Sequence, residues 1–427
     1  MKPSVSLPQG FQNEAELEAI YNFCDNDHVK REKILESHQK ATVERIKKEA
    51  VVLAVQDTTY VDYTPHPHTD GLGILTDDKH QGMLLHTTLA VTLARVPLGL
   101  IDQQILYREP SEYGKSEQRK KRTIEEKESN KWLESLKRTA EIQPECVKTK
   151  IISVGDREAD IYDLFLRSQT LKQDVLVRGT WNRAVDHEEK YLFDYLNHQE
   201  KNGEITLEIP KQGNREARQA TLTVRYATVK LKPPVYRRYE SLPIIEVTAI
   251  LAQEQATPTG AEPVEWLLLT TVKAQNFTQA CERLEWYRSR WIIEIYHKVL
   301  KSGCQIESRQ FETASRLERY LAIDSVIAWR ILGLTFQSRE TPDMSCEAFL
   351  ERAEWQALFC YIHKTPTPPK KPPTLQEAAR WIAQLGGFLG RKHDGNPGVT
   401  VMWRGFQRLS DIVTFGVILN PSLNRNI

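Results

Sequence analysis

Residues 287–301 read YRSRWIIEIYHKVLK, and this stretch decides how the rest of the chain is interpreted. It contains neither Pro nor Gly, and Gly303 follows as a natural helix stop, so the spacing predicts one helix. Arg290 precedes Glu294 by four residues, and Lys301 follows it by seven. At the helical period these offsets place the three side chains in one narrow stripe.

Tyr287, seven residues before Glu294, extends the stripe with a phenol. The row therefore sets one carboxylate beside two cations. A carboxylate can bind a divalent metal ion, and Arg and Lys can bind phosphate next to it. The alternative is an ion-paired, solvated helix face, since Arg and Glu four residues apart are common on helices.

Composition bounds the class of protein. The chain has 427 residues, 40% hydrophobic and 27% charged, with a net charge of +1. These values are typical of soluble globular domains, and no apolar run approaches the ~20 residues that span a bilayer. Residues 1–10 lack a secretory pattern. The six cysteines are scattered without a Cys-x-x-Cys pair, which favours a reducing cytoplasm over a disulfide or zinc framework.

Two acidic residues follow short apolar runs typical of strands buried on both faces. Val51–Val55 leads into Gln56-Asp57-Thr58-Thr59, and Ile151–Val154 leads into Gly155-Asp156-Arg157-Glu158-Ala159-Asp160. We expect each strand to end there, which places Asp57 and Asp156 at the carboxyl edge of a sheet, where α/β folds place their sites.

The remaining sequence predicts an α/β fold with a mixed sheet, an inserted all-β domain and helical N- and C-terminal regions. Alternating β-formers between Gly, Pro and charged turns indicate the insertion. A basic cluster, Lys115 to Arg122, is interpreted as a solvated loop or a DNA contact. The predicted domains are a helical N-terminal region (1–50), an α/β core (51–180 and 273–340), the β insertion (181–272) and a helical C-terminal region (341–427).

Joining Asp57, Asp156 and Glu294 gives three carboxylates, enough to hold two Mg²⁺ ions about 4 Å apart for phosphodiester chemistry. Each has a structural alternative. Asp57 can form an Asx turn, and Glu158 and Asp160 compete with Asp156. The metal-capable side chains of residues 66–86 fit no standard zinc spacing and are interpreted as structural; they are His66, His68, Asp70, His80 and His86.

Together the three motifs resemble those of bacterial cut-and-paste DDE transposases, and Tyr287-x2-Arg290-x3-Glu294-x6-Lys301 resembles the Y-R-E-K signature of one insertion-sequence group. The resemblance runs from about residue 10 to the end, and it implies a DNA-binding remnant at 1–50, a catalytic core at 51–180 and 273–340, and a dimerisation region at 341–427. It implies a ribonuclease-H-like core whose metal-binding catalytic triad is Asp57, Asp156 and Glu294, with two Mg²⁺ ions or Mn²⁺ in their place. It also implies nicking, a hairpin intermediate, hairpin hydrolysis and strand transfer.

The same resemblance implies the DNA contacts. Tyr287, Arg290 and Lys301 would grip phosphates near a base flipped from the transposon end, and Trp266 would stack on that base. Arg178 would lie near the hairpin DNA. Trp266 as a core residue and Arg178 as a surface charge remain open. The partners would be transposon-end DNA, target DNA and a second copy of the chain, in a cytoplasmic protein associated with the nucleoid and not with a membrane.

Relatives usually carry a longer helical domain before the first catalytic aspartate, whereas 56 residues precede Asp57. This favours, as an alternative, a truncated or inactive transposase acting as a DNA-binding inhibitor. An unrelated two-metal hydrolase is a third hypothesis, but it does not explain the Y-R-E-K row. The terminal repeat and the target site preference cannot be inferred from the sequence.

Overall fold

The computed structural model describes residues 14–110, 122–209, 216–237 and 239–419. Of the basic cluster, residues 115–121 lie outside the described residues. Within those ranges no helix is long and apolar enough to cross a membrane. All six cysteines fall inside them and are free thiols.

The elements of the first part of the chain alternate between helices and strands. In chain order they are α1 (Glu14–Asp25), α2 (Arg31–Ile46), β1 (Val51–Asp62), β2 (Gly73–Ile74), β3 (Gln81–Thr92), β4 (Pro97–Leu106), α3 (Asn130–Ile142), β5 (Lys150–Gly155), α4 (Tyr162–Leu171) and β6 (Asp174–Arg178).

The second part begins with one short helix, continues with four strands and ends in six helices among the named elements. They are α5 (Leu192–Asn197), β7 (Gly203–Ile209), β8 (Arg218–Leu231), β9 (Ile245–Glu254), β10 (Glu265–Thr270), α6 (Phe277–Arg288), α7 (Trp291–Lys298), α8 (Ala314–Glu340), α9 (Arg352–His363), α10 (Leu375–Leu385) and α11 (Val399–Leu419).

The chain forms two compact units. Unit 1 comprises Met1–Ile46, Thr58–Ser116 and Ile292–Ile427, and unit 2 comprises Lys47–Asp57 and Glu117–Trp291. These divisions differ from the domain boundaries expected from the sequence, which stay a prediction. Both β1 and α7 contribute residues to each unit.

Unit 2 is built on a mixed sheet in the order β1-β5-β6-β10-β9-β8-β7. The pairs β1–β5 and β5–β6 are parallel, and the later pairs are antiparallel. Helices α3 and α4 cover a face whose core includes Trp132, Phe165 and Leu269, all buried. Burying side chains of this size stabilises the fold by about 1.5–3 kcal/mol each. The α/β class is confirmed, and the sheet is compatible with the expected ribonuclease-H-like core.

The strands of the expected β insertion do not form a sheet of their own. Strand β10 pairs with β6 on one side and with β9 on the other, so β7–β10 extend the sheet that contains β5. The β content of this segment is confirmed. Its status as a separate domain stays a prediction.

Unit 1 is organised around α8, whose apolar residues are mostly buried, as the sequence predicts. Arg319 on this helix donates to the carbonyls of Cys24 (2.6 Å) and Val29 (2.9 Å), which fixes the turn between α1 and α2. Trp329 donates to the carbonyl of Pro97 at 3.0 Å, so α8 also holds the β3–β4 hairpin. These buried bonds satisfy polar groups that would otherwise destabilise the packed helix.

The C-terminal helices of unit 1 pack beside α8. Helix α10 begins after the proline-rich stretch with a capping box, in which Thr374 and Glu377 each bond the other's backbone amide. Such a cap typically contributes about 1 kcal/mol. The capping box marks the start of this helix directly after the prolines.

Candidate functional site

The second motif is a tight acidic turn at the end of β5. Asp156 has an extended backbone and caps the turn 157–159, its carboxylate accepting the Glu158 amide at 2.8 Å. Gly155 is required because a Cβ there would lie 2.4 Å from the Cβ of Ala159. The turn therefore fixes the position of the Asp156 carboxylate.

Asp57 and Asp156 occupy equivalent positions on neighbouring parallel strands. The parallel register of β1 and β5 ends at Val55 opposite Val154, and each aspartate lies two residues further on. Since parallel strands are about 4.8 Å apart and side chains alternate with a period of two, both carboxylates lie on one face. Burial raises the pKa of the Asp156 carboxyl, and the charge of Asp57 raises it as well, while the Glu158 amide and Arg290 oppose the rise.

The expectation that β1 ends at Gln56 is wrong, because the strand continues to Asp62. Thr58, Thr59 and Val61 are β-branched residues that favour extended backbone, which explains the extra length. The parallel pairing with β5 nevertheless stops at Val55. Asp57 thus follows the end of the parallel ladder, not the end of the strand.

Arg290 and Tyr287 lie beside this acidic pair within unit 2. The Arg290 Nη1 atom is 3.5 Å from Asp57 Oδ1, and its guanidinium lies 6.0 Å from the Tyr287 ring centroid. Tyr287 in turn meets Trp266 edge to face, with ring centroids 5.9 Å apart. Trp266 is half-buried on β10, so its ring is neither a full core residue nor fully solvated.

Arg178 closes the same cluster from the end of β6. Its Nη2 atom donates to the carbonyl of Glu265 at 3.0 Å. Burial lowers the pKa of the Arg178 guanidinium, and the positive charges of Arg157 and Arg290 lower it too, whereas Tyr287 raises it. Three guanidinium groups therefore share one part of unit 2 with two carboxylates, an arrangement suited to an anion held next to a cation.

The prediction of one helix from Tyr287 to Lys301 is wrong in detail. Helix α6 ends at Arg288, α7 begins at Trp291, and residues 299–303 form a π-helical turn. Ser289 lies at the break: its hydroxyl bonds the Glu285 carbonyl at 3.3 Å, and such back-bonding often bends helices. The straight-helix offsets therefore do not give the true placement of the row.

The two remaining residues of the third motif belong to unit 1. Glu294 is half-buried in the first turn of α7, where the helix dipole favours a carboxylate. Lys301 donates to the Tyr60 carbonyl at 2.9 Å and pairs with Glu307 at 2.8 Å. Sequence reasoning missed Glu307, because its approach to Lys301 depends on the turn after the π-helical segment, which the sequence does not announce.

The rivals of Asp156 have different roles. Glu158 is exposed and lies 3.3 Å from Lys131. Asp160 is buried and bonded to Arg183 and to the amides of Thr180 and Trp181. Neither of the two faces Asp57 in the register of β1 and β5. Among the three acids of the turn, Asp156 is the one on which the charge of Asp57 is seen to act.

Three of the four histidines of residues 66–86 bond protein groups. His86 is buried and bonded to Thr58 at 2.9 Å, His66 bonds the Glu307 carbonyl at 3.0 Å, and His80 bonds Asp77 at 2.6 Å. Over the described residues, no group of three or more His, Cys, Asp and Glu side chains is placed to hold a metal ion. The three-carboxylate metal site therefore stays a prediction. The Asp57–Asp156 pair does fit a hard divalent cation, which takes carboxylate oxygens.

Sequence reasoning also passed over Arg157. It follows Asp156 directly and is exposed, and its charge acts on Arg178. Its position in the acidic turn was the available signal, since a cation next to a candidate metal ligand is suited to bind the substrate phosphate.

Residues 326–418, which include most of α8 and all of α9 and α10, match the family model described as the Transposase Tn5 dimerisation domain. This C-terminal segment is therefore similar to a dimerisation domain of transposases.

Proposed function

We propose that the chain is a transposase that cuts DNA at transposon ends and joins it to target DNA. The observation that carries the proposal is the pairing of Asp57 and Asp156 on adjacent parallel strands, with Arg290 beside them. The match of residues 326–418 to a transposase dimerisation domain supports it independently. The acidic triad is completed, on the resemblance of the third motif, by Glu294.

The like charges of Asp57 and Asp156 favour a bound cation, which would remove the repulsion that helps to raise the pKa of Asp156. Mg²⁺, or Mn²⁺ as a substitute, would activate the attacking hydroxyl and stabilise the leaving oxygen when bound by these carboxylates. Asp156 is oriented for this by its bond to the Glu158 amide. Arg290 and Lys301 would neutralise the phosphate, which lowers the barrier for phosphodiester chemistry.

The aromatic residues suit the DNA ends. An edge-to-face pair such as Trp266 and Tyr287 presents ring surface on which an extruded base can stack, and stacking offsets part of the cost of unpairing. Arg178 would contact the backbone of the same DNA. The resemblance completes the proposal. It implies the hairpin pathway, membership of the Y-R-E-K group, action within a dimer, and a cytoplasmic protein associated with the nucleoid.

The test compares two acids of one turn on DNA that carries the sequences flanking the reading frame. We expect Asp156→Asn to reduce Mg²⁺-dependent cutting by at least about 100-fold, as removal of a transition-state stabilising group does. Glu158→Gln should cut like the wild type. Equal activity of the two variants would overturn the assignment of Asp156. A wild-type protein that binds the DNA but never cuts it would favour the non-catalytic inhibitor instead.

A further inference from the structure

A short loop after β6 is held rigidly against the acidic turn. This 179–183 loop is bonded by the Asp160 carboxylate, which accepts the amides of Thr180 (2.8 Å) and Trp181 (3.1 Å) and the Nε of Arg183 (2.8 Å). The Asp160 side chain is 0% exposed and that of Arg183 only 10%. Thr180 adds a bond from its hydroxyl to the Arg157 carbonyl at 3.3 Å. The loop and the turn of Asp156 therefore form one fixed piece of structure.

Trp181 is the exception to this tight packing. Its amide and carbonyl are both bonded, yet 63% of the residue is exposed. Leaving a tryptophan in water forfeits most of the roughly 1.5–3 kcal/mol that burying such a ring provides. Because the backbone that carries the exposed ring is already ordered, binding of a ligand there loses little further conformational entropy.

The acidic turn that this loop contacts also carries a positive charge. Arg157 is exposed on the turn that the loop contacts, and its charge acts on Arg178, which lies three residues before Trp181. An aromatic face beside a guanidinium matches a nucleotide, whose base stacks and whose phosphate pairs with the cation. A purely apolar partner would gain nothing from Arg157.

We propose that Arg157 and Trp181 form a nucleotide subsite, in which Trp181 stacks on a base of bound DNA and Arg157 contacts a backbone phosphate. The inference rests on the proposed function and deepens it. It adds Arg157 and Trp181 to the DNA contacts that the resemblance assigns to Trp266 and Tyr287. Either the cut end or the target DNA can supply the nucleotide, because both present the same chemistry.

The experiment measures the binding of the full-length chain to end DNA and to target DNA by fluorescence anisotropy. Trp181→Ala should weaken binding to one of them by about 5- to 100-fold, the usual loss of one stacked base, and Trp181→Phe should restore most of it. Arg157→Ala should lower the slope of log affinity against log salt by about one. Tyr236→Ala and Lys137→Ala, changes of an exposed aromatic and an exposed cation elsewhere in unit 2, serve as controls and should change neither.

Comparing the two DNAs shows which of them supplies the stacked nucleotide. A defect in binding and cutting of end DNA places the subsite on the transposon end, and a defect only in target binding and strand transfer places it on the target. Wild-type affinity of Trp181→Ala for both DNAs, or an equal loss in Tyr236→Ala, would overturn the subsite. Those results leave the proposed function intact, which fails separately if the wild type never cuts DNA.

Discussion

Asp160→Asn should loosen the 179–183 loop without touching the candidate chemistry. In the native protein Oδ2 accepts the amides of Thr180 and Trp181, and Oδ1 accepts Nε and Nη2 of Arg183. An asparagine has one acceptor oxygen, so it can serve the two amides or the guanidinium but not both. Its NH₂ group would then face donors, and Arg183 would lose its counter-charge.

The magnitude follows from those contacts. Two charge-assisted bonds are lost at about 1.5–3 kcal/mol each. Arg183 keeps its 2.6 Å bond to the Asp160 carbonyl, so its guanidinium is not left without an acceptor and the loss stays near the low end of the sum. A net loss of about 3–4 kcal/mol results, at the lower end for breaking a buried ion pair. Asp160→Asn with Arg183→Gln should lose less than the sum of the two single changes.

Hydrogen exchange at the Thr180 and Trp181 amides is the assay, because it reports local opening free energy. A loss of about 3 kcal/mol corresponds to exchange roughly 100-fold faster at these two amides. Glu158→Gln is the control: its carboxylate is 63% exposed, so its ion pair with Lys131 contributes less than about 1 kcal/mol. Native exchange rates in Asp160→Asn would refute the claim that Asp160 holds the loop.

Three further predictions concern the candidate site. The folded-state pKa of Asp156 is raised, so its contribution to stability is full at low pH and is lost as the pH rises through that pKa. Asp156→Asn should therefore stabilise the metal-free fold at neutral pH, which would be measured as a higher urea midpoint, while DNA cutting is lost. Gly155→Ala should destabilise unit 2 by about 1–3 kcal/mol in urea titrations, since its Cβ would lie 2.4 Å from that of Ala159, whereas Gly398→Ala, with open space around it, should be neutral. Lys301→Ala should weaken DNA binding and lower its salt slope by about one, unlike Lys298→Ala at an exposed position of α7; equal slopes would contradict a phosphate contact.

Local patterns predicted those elements whose cause is local. Strand β6 runs from Asp174 to Arg178 through the β-branched Val175 and Val177, and the β3–β4 hairpin joins two apolar runs. The equivalence of Asp57 and Asp156 also follows from sequence, because each comes directly after a buried run. What periodicity could not supply is the register of β1 on β5, which required the fold.

The failures trace to contacts between residues far apart or to competing hydrogen bonds. At the break before α7 the Ser289 hydroxyl bonds the Glu285 carbonyl, an option that a helical pattern does not exclude. Asp160 looked like a helix N-terminal acid, yet its partners are Thr180, Trp181 and Arg183, some 20 residues away. Only the return of the chain through β6 brings these groups together.

The acidic turn assigns opposite tasks to residues of one charge. Asp160 is stabilised by four donors and fixes the loop, so it has no capacity left for a metal ion. Asp156 has the Glu158 amide and a like charge from Asp57, which leaves it destabilised without a cation. Because Asp160 holds the loop and the turn rigid, Asp156 keeps its place beside Asp57 despite the repulsion between the two carboxylates. The two substitutions should therefore change stability in opposite directions, and an equal sign of the two changes in metal-free buffer at neutral pH would contradict this division.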